Sequence, residues 1–317
     1  MTDTAPPAVL ARGLRKTYAG VAAVRGIDLT VPPGETFAFL GPNGAGKSTT
    51  IAILTTLARP TAGRAEIAGL DVTRHPAQVR RRIGLVFQDL TVDPELTAEE
   101  NLLFHAHLYG VPHRQARTRA AELLGLIGLA DRRRSLVRTF SGGMKRRLEI
   151  ARGLLHTPHL LFLDEPTIGL DPQTRIHLWD HLHQVRREAR TTLFLTTHYL
   201  DEAEQCDRIA IIDHGRIVAQ GTPAALKAAV GDDTIHLHTA DDHAARRALE
   251  ERFGLHAGPA PGGLRVHVSD GAATVPWLCT ELGVPVISVT VTRPSLDDVF
   301  LHHTGRSMRD TGNDTEA

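Results

Sequence analysis

The stretch Gly41-Pro42-Asn43-Gly44-Ala45-Gly46-Lys47-Ser48 narrows what this chain can fold into more than any other. The apolar run Glu35 to Leu40 precedes it and reads as a strand. Thr49 and Thr50 follow it, and Ile51 to Leu54 continue as a helix. Strand, glycine-rich turn and helix in that order make a phosphate-binding loop. Glycines let the backbone curl so that successive N–H groups point into one concavity. The helix behind them adds the partial positive charge of its N-terminus. Lys47 supplies a mobile cation for β- and γ-phosphates, and the Ser48 hydroxyl is placed to ligate Mg²⁺.

The second half of such a site is expected further along. His159 to Leu163 is apolar without alternation and ends in Asp164 and Glu165. A run apolar on both faces belongs inside a parallel sheet, whose C-terminal edge is where ligands bind. Asp164 is placed to hold Mg²⁺ and Glu165 to polarise an attacking water. Gln88, closing the short strand Leu85 to Phe87, is a neutral candidate ligand for the ion and the water. Thr191 to Thr197 reads as another buried strand, and His198 leaves the same edge as Lys47 and Asp164. Tyr18 stands between two opening strands, Val9 to Thr17 and Ala22 to Val31, where an aromatic face can stack on an adenine ring.

Between these parts lies a helical insertion, about 89–156. Thr97 and Glu100 fit a capping box for a helix that stops near Gly110. A second helix begins at Pro112 and is expected to end at Gly125 and Gly128. A third starts after Phe140-Ser141-Gly142-Gly143 and carries Met144, Leu148, Ile150, Ala151 and Leu154 at helical spacing. Gly169-Leu170-Asp171-Pro172 turns into another helix, Leu200 to Cys206 reads as an acidic one, and residues 209–219 read as a hairpin closing the sheet. The first domain is therefore expected at 9–230. Beyond Gly231, Thr234 to Thr239, Leu264 to Ser269 and Val286 to Thr292 read as strands, Gly258 to Gly263 as a loop, and Ser295 as the cap of a short helix. These make a small α+β domain at 231–305. Residues 1–8 and 306–317 are polar ends expected to be disordered.

Composition removes several classes. Lys+Arg and Asp+Glu are both 36, which argues against a chain that lives by binding nucleic acid. Two cysteines, Cys206 and Cys279, give no disulfide framework and fit a reducing cytosol. His177 and His181 are spaced like zinc ligands with His183 nearby, but no Glu or Cys completes a set. No leader is visible in Met1 to Ala8, and no run approaches the ~20 apolar residues of a membrane span. Any membrane process would need another chain to cross the bilayer.

In this order the motifs resemble the ATP-binding subunits of ABC transporters over roughly residues 9–225. The resemblance implies a P-loop NTPase domain of α/β class with a helical subdomain. Tyr18 matches the adenine-stacking aromatic, Gly41 to Ser48 Walker A, and Gln88 the Q-loop. Ser141-Gly142-Gly143 matches the signature, Leu160 to Asp164 with Glu165 Walker B and the catalytic glutamate, Asp171 the D-loop and His198 the switch histidine. It further implies ATP and Mg²⁺ as ligands and a homodimer in which Ser141 and the Gly142 and Gly143 amides of one copy bind the γ-phosphate held by the other. A separate transmembrane permease would seat the dimer on the cytoplasmic face of the cell membrane. Met144 departs from the family's usual Gln and lacks its hydrogen-bonding amide. Thr167 to Pro172 and Pro294 to Leu301 with Gly305 are similar to the daunorubicin/doxorubicin-resistance branch, which implies export. The rivals are a soluble ATPase of translation or DNA repair, an importer subunit, and a lipid or saccharide exporter.

Overall fold

The computed structural model describes residues 6–189, 191–260 and 262–308. The chain divides into two compact units, Met1–Thr222 with Met308–Ala317, and Pro223–Ser307.

The first unit is built on a six-stranded sheet in the order Arg216–Gly221, Arg208–Asp213, Thr36–Leu40, Thr192–Thr197, Leu160–Asp164, Ile83–Val86. All its pairings are parallel except that of the first two strands, the expected hairpin. The three central strands are buried at every residue, which explains their unbroken apolar runs. Phe37, Phe39 and Phe162 pack around Phe194 with ring centroids 5.2–5.9 Å apart. The register sets Asp164 beside Thr196 and Leu40 beside Thr197. Lys47, Asp164, Glu165 and His198 therefore all leave from one sheet edge. A second, antiparallel sheet holds Val21–Val31, Val9–Tyr18, Ala62–Ile67 and Leu70–Asp71.

The helical insertion consists of Ala98–Leu108, His113–Leu126 and Gly142–Leu154. Thr97 and Glu100 form the capping box. The middle helix does not stop at Gly125. Leu123 and Leu124 are fully buried beside it, and that burial outweighs the ~1 kcal/mol helix penalty of glycine. The chain turns at Gly128, whose φ of 66° is left-handed. The acidic helix is also shorter than expected, Leu200–Ala203, and tightens into turns through Cys206.

The second unit begins at Pro223, ahead of the boundary expected at Gly231, because the helix Pro223–Ala228 packs on Leu296–Thr304. Its sheet runs Ala257–Ala260, Gly263–Val268, Asp233–Thr239, Val286–Thr292, all antiparallel. The expected loop 258–263 is mostly a hairpin; Pro259 is tolerated because its strand is an edge, and Pro261 lies outside the described residues. Two helices not anticipated, Asp242–Phe253 and Gly271–Glu281, complete a β-α-β-β-α-β order. Ser295 and Asp298 form a second capping box.

The chain ends are more ordered than expected where they are described. Ala8 is buried and its carbonyl accepts from Ala68 N, and Met308 is buried. Ser307 donates to Asp297. The disorder expected at 1–5 and 309–317 concerns residues outside the described ones. Among the described residues no helix is long and apolar enough to cross a membrane.

Candidate nucleotide-binding and hydrolysis site

The phosphate-binding loop follows the strand Thr36–Leu40 and opens the helix Lys47–Leu54. Two glycines are required by close approach. A Cβ on Gly41 would lie 2.3 Å from Ile212 O, and one on Gly46, where φ is 105°, would lie 2.5 Å from Ala23 O. Gly46 caps the helix in a left-handed conformation. Ala45 O accepts from Gly215 N and Gly41 N donates to Thr197 O, so neighbouring strands hold the loop in shape.

The loop borders a cavity of about 320 Å³ lined by Asn43, Gly44, Lys47, Ser48, Thr49, Gln88 and Glu165. Lys47 is buried, donates to Gly41 O at 2.7 Å and Pro42 O at 3.1 Å, and pairs with Glu165 Oε1 at 3.1 Å. Burial pulls the ammonium below its ordinary value, and Glu165 and Asp164 partly offset that. Glu165 is 7 % exposed, and His198 Nδ1 lies 3.3 Å from its Oε2. Burial would raise this carboxyl, but His198 and Lys47 together outweigh it and hold it below its ordinary value. It stays an anion able to accept a proton from water. Its φ of 47° is strained for a side-chain-bearing residue, at a cost of about 1–3 kcal/mol. Thr196 fixes that geometry, because Glu165 N donates to Thr196 O at 3.2 Å and to its hydroxyl at 3.0 Å.

Asp164 accepts from the Thr196 hydroxyl at 2.5 Å and from the Ser48 hydroxyl at 3.4 Å. Ser48 and Asp164 thus meet, with Gln88 lining the same cavity. Hydroxyl, carboxylate and amide oxygens are the hard donors that Mg²⁺ takes, and these residues fit that ion.

Other expected site residues stand apart. Tyr18 ends the strand Val9–Tyr18, half exposed, with Lys16 Nζ 4.6 Å from its ring centre; it does not line the cavity. Ser141 caps the helix Gly142–Leu154, its hydroxyl accepting from Met144 N at 3.3 Å. Asp171 accepts from Thr174 N at 3.0 Å, and that partner holds its carboxyl below the usual range. A Cβ on Gly143 would come within 2.3 Å of Thr174, so the Ser141 and Asp171 turns pack together. Neither reaches the cavity beside Lys47 within this one chain. His181 Nε2 sits 3.3 Å from Arg147, and among the described residues no three metal-ligating side chains gather.

Four supporting residues were not legible in the motifs. Thr196 and Thr197 close a buried strand, and hydroxyls at that edge were the available signal. Glu202 is buried and accepts from Thr167 and, at 2.7 Å, from Thr197; burial raises its carboxyl. Arg146 donates to the carbonyls of Phe87 and Gln88.

A parallel sheet with these groups at its carboxyl edge and a helical insertion beside it defines an ATP-binding cassette. The family profile for ABC transporters matches residues 24–168, and that for the C-terminal domain of DrrA1-3-like ATP-binding proteins matches 221–304. The chain is 45% identical to the daunorubicin/doxorubicin resistance ATP-binding protein DrrA of Streptomyces peucetius, over 98% of this chain and 96% of that one. It is 38% identical to the linearmycin resistance ATP-binding protein LnrL of Bacillus subtilis (strain 168), over 95% and 99%. It also resembles a dimeric, post-hydrolysis ATP-binding cassette bound to ADP and Pi: TM-score 0.61, 28% identity, 68% of this chain and 98% of that one. The chain belongs to the ABC transporter ATP-binding proteins, in their daunorubicin/doxorubicin-resistance branch. It is the ATP-hydrolysing subunit of an exporter.

Proposed function

We propose that two copies of this chain pair head to tail around two ATP molecules, and that hydrolysis reopens the pair to drive efflux of a hydrophobic drug through a separate permease. The observation that carries this reading is the line of buried Lys47 and Glu165 with partly exposed His198, beside Ser48 and Asp164. Lys47 leaves its loop carbonyls for the β- and γ-phosphates. The Gly44 to Thr49 amides cradle the phosphates at the helix N-terminus, and Tyr18 stacks on adenine. Mg²⁺, held by Ser48, Asp164 and Gln88, would supply charge neutralisation on the phosphates. Glu165 accepts the proton of the attacking water, and His198 keeps that carboxylate oriented. Ser141, Gly142 and Gly143 of the second copy bind the γ-phosphate, and Asp171 adjoins them at the joint.

The partners of this reading are a second copy and a membrane-spanning chain on the cytoplasmic side of the cell membrane. Drug cargo is favoured by the resistance proteins to which the chain is similar over nearly its whole length. The test is deletion in the native host: accumulation of an anthracycline should rise, and the intact gene but not a Glu165→Gln copy should reverse it. Unchanged accumulation sinks the drug assignment, whereas purified protein that never consumes ATP sinks the catalytic one.

A further inference from the structure

The helix that starts at Ser141 carries a buried cation that the phosphate chemistry does not use. Arg146 is 3 % exposed, and its two terminal nitrogens donate to consecutive backbone carbonyls. Nη1 reaches Phe87 O and Nη2 reaches Gln88 O, each at 2.5 Å. Both carbonyls belong to the segment that carries Gln88 to the cavity. Glu149, three residues further along, is 1 % exposed and takes Arg146 Nη1 at 3.1 Å. It also accepts from the Thr91 amide and, at 2.9 Å, from the Thr91 hydroxyl. Arg152 donates to Thr91 O at 2.8 Å and to the same hydroxyl. One helix therefore grips residues 87–91 at both ends.

The chemistry suits positioning. A planar guanidinium spans two adjacent carbonyls as a fork, which a lysine ammonium cannot reproduce. Buried ions gain little net stability, since desolvation offsets their attraction, but a fully paired set fixes geometry.

We propose that Arg146, Glu149 and Arg152 are positioning residues that make Gln88 and Ser141 move as one body. Nucleotide in a copy's own cleft then presets the anion site that copy offers to its partner. This inference rests on the reading above, in which Gln88 faces the copy's own nucleotide and Ser141 the partner's.

The test is hydrogen exchange on the dilute, monomeric full chain, titrated with a non-hydrolysable ATP analogue and Mg²⁺. In the parent, amides of 87–91 and of 141–146 should change protection at the same analogue concentration. In Arg146→Lys the first change should persist while the second shrinks about fivefold or more, with melting temperature and analogue affinity retained. Thr91→Ala, at an exposed residue, should shrink it in the same direction by less. A parent without a response at 141–146, or a response of parent size in both variants, overturns the clamp. Failure of the dimer reading shows separately: a Glu165→Gln chain that stays monomeric with ATP contradicts the sandwich and leaves the exchange result intact.

Discussion

The two regions of the first unit proposed to bind phosphate are built by opposite means. Around Lys47 the groups are charged and buried, and one of them, Glu165, is held in a strained backbone conformation. Around Ser141 they are neutral, with Ser141 and Gly142 exposed and Gly143 buried, and the hydroxyl already caps its own helix. Charges in a dry cleft act strongly, whereas amides and a hydroxyl in water bind an anion weakly alone. On the proposed reading one copy supplies the chemistry, and the other adds a geometric check that operates only once the two meet. Substitutions at the first region should then abolish turnover, and those at the second should loosen assembly.

Lys47→Ala has the largest expected effect. Phosphate release should fall by about 10²–10³-fold or more, since among the described residues no other Lys or Arg lines the cavity. Normal turnover would break the contrast at its strong end. Glu165→Gln should lower kcat by about 10²-fold or more and leave ATP affinity near the parent's, which equilibrium binding beside steady-state kinetics separates. Ser141→Ala should leave single-copy ATP affinity unchanged and weaken ATP-driven pairing by about tenfold, the size of one lost hydrogen bond to a charged group. If that variant instead loses binding in the monomer, the division between regions is wrong.

The smallest effect concerns pH. The Glu165 carboxyl sits below its ordinary value when folded, so it stabilises above the unfolded pKa and that contribution is lost as pH falls through the folded one. Glu202 is shifted the other way, chiefly by burial. Its contribution is present below the unfolded carboxylate pKa and lost as pH rises through the folded one. Glu202→Gln should therefore gain in thermal stability relative to the parent by a margin that widens as pH rises from acid toward neutral. A margin that narrows over that range would contradict the assignment.

Much of this was legible in the chain itself. Lys47, Asp164, Glu165 and His198 announce themselves because each ends or follows an apolar strand, and parallel pairing brings strand ends to one edge. The supporting groups were hidden because their partners are remote: Arg146 reaches back 58 and 59 residues, and Thr167 meets Glu202 35 residues on. The helix Gly271–Glu281 was obscured by Pro276, its sixth residue, where a proline removes an intrahelical hydrogen bond and ordinarily argues against a helix. Gly125 looked like a stop because local propensity favours one, and buried leucines overrode it.

The most direct measurement is the solution mass of the Glu165→Gln chain with saturating ATP and Mg²⁺, alone and with Ser141→Ala added. Shared nucleotide predicts a dimer carrying two ATP in the first case and, in the second, a chain that still holds ATP but pairs only at about tenfold higher concentration. A monomer in the first case, or an equally tight dimer in the second, would contradict it.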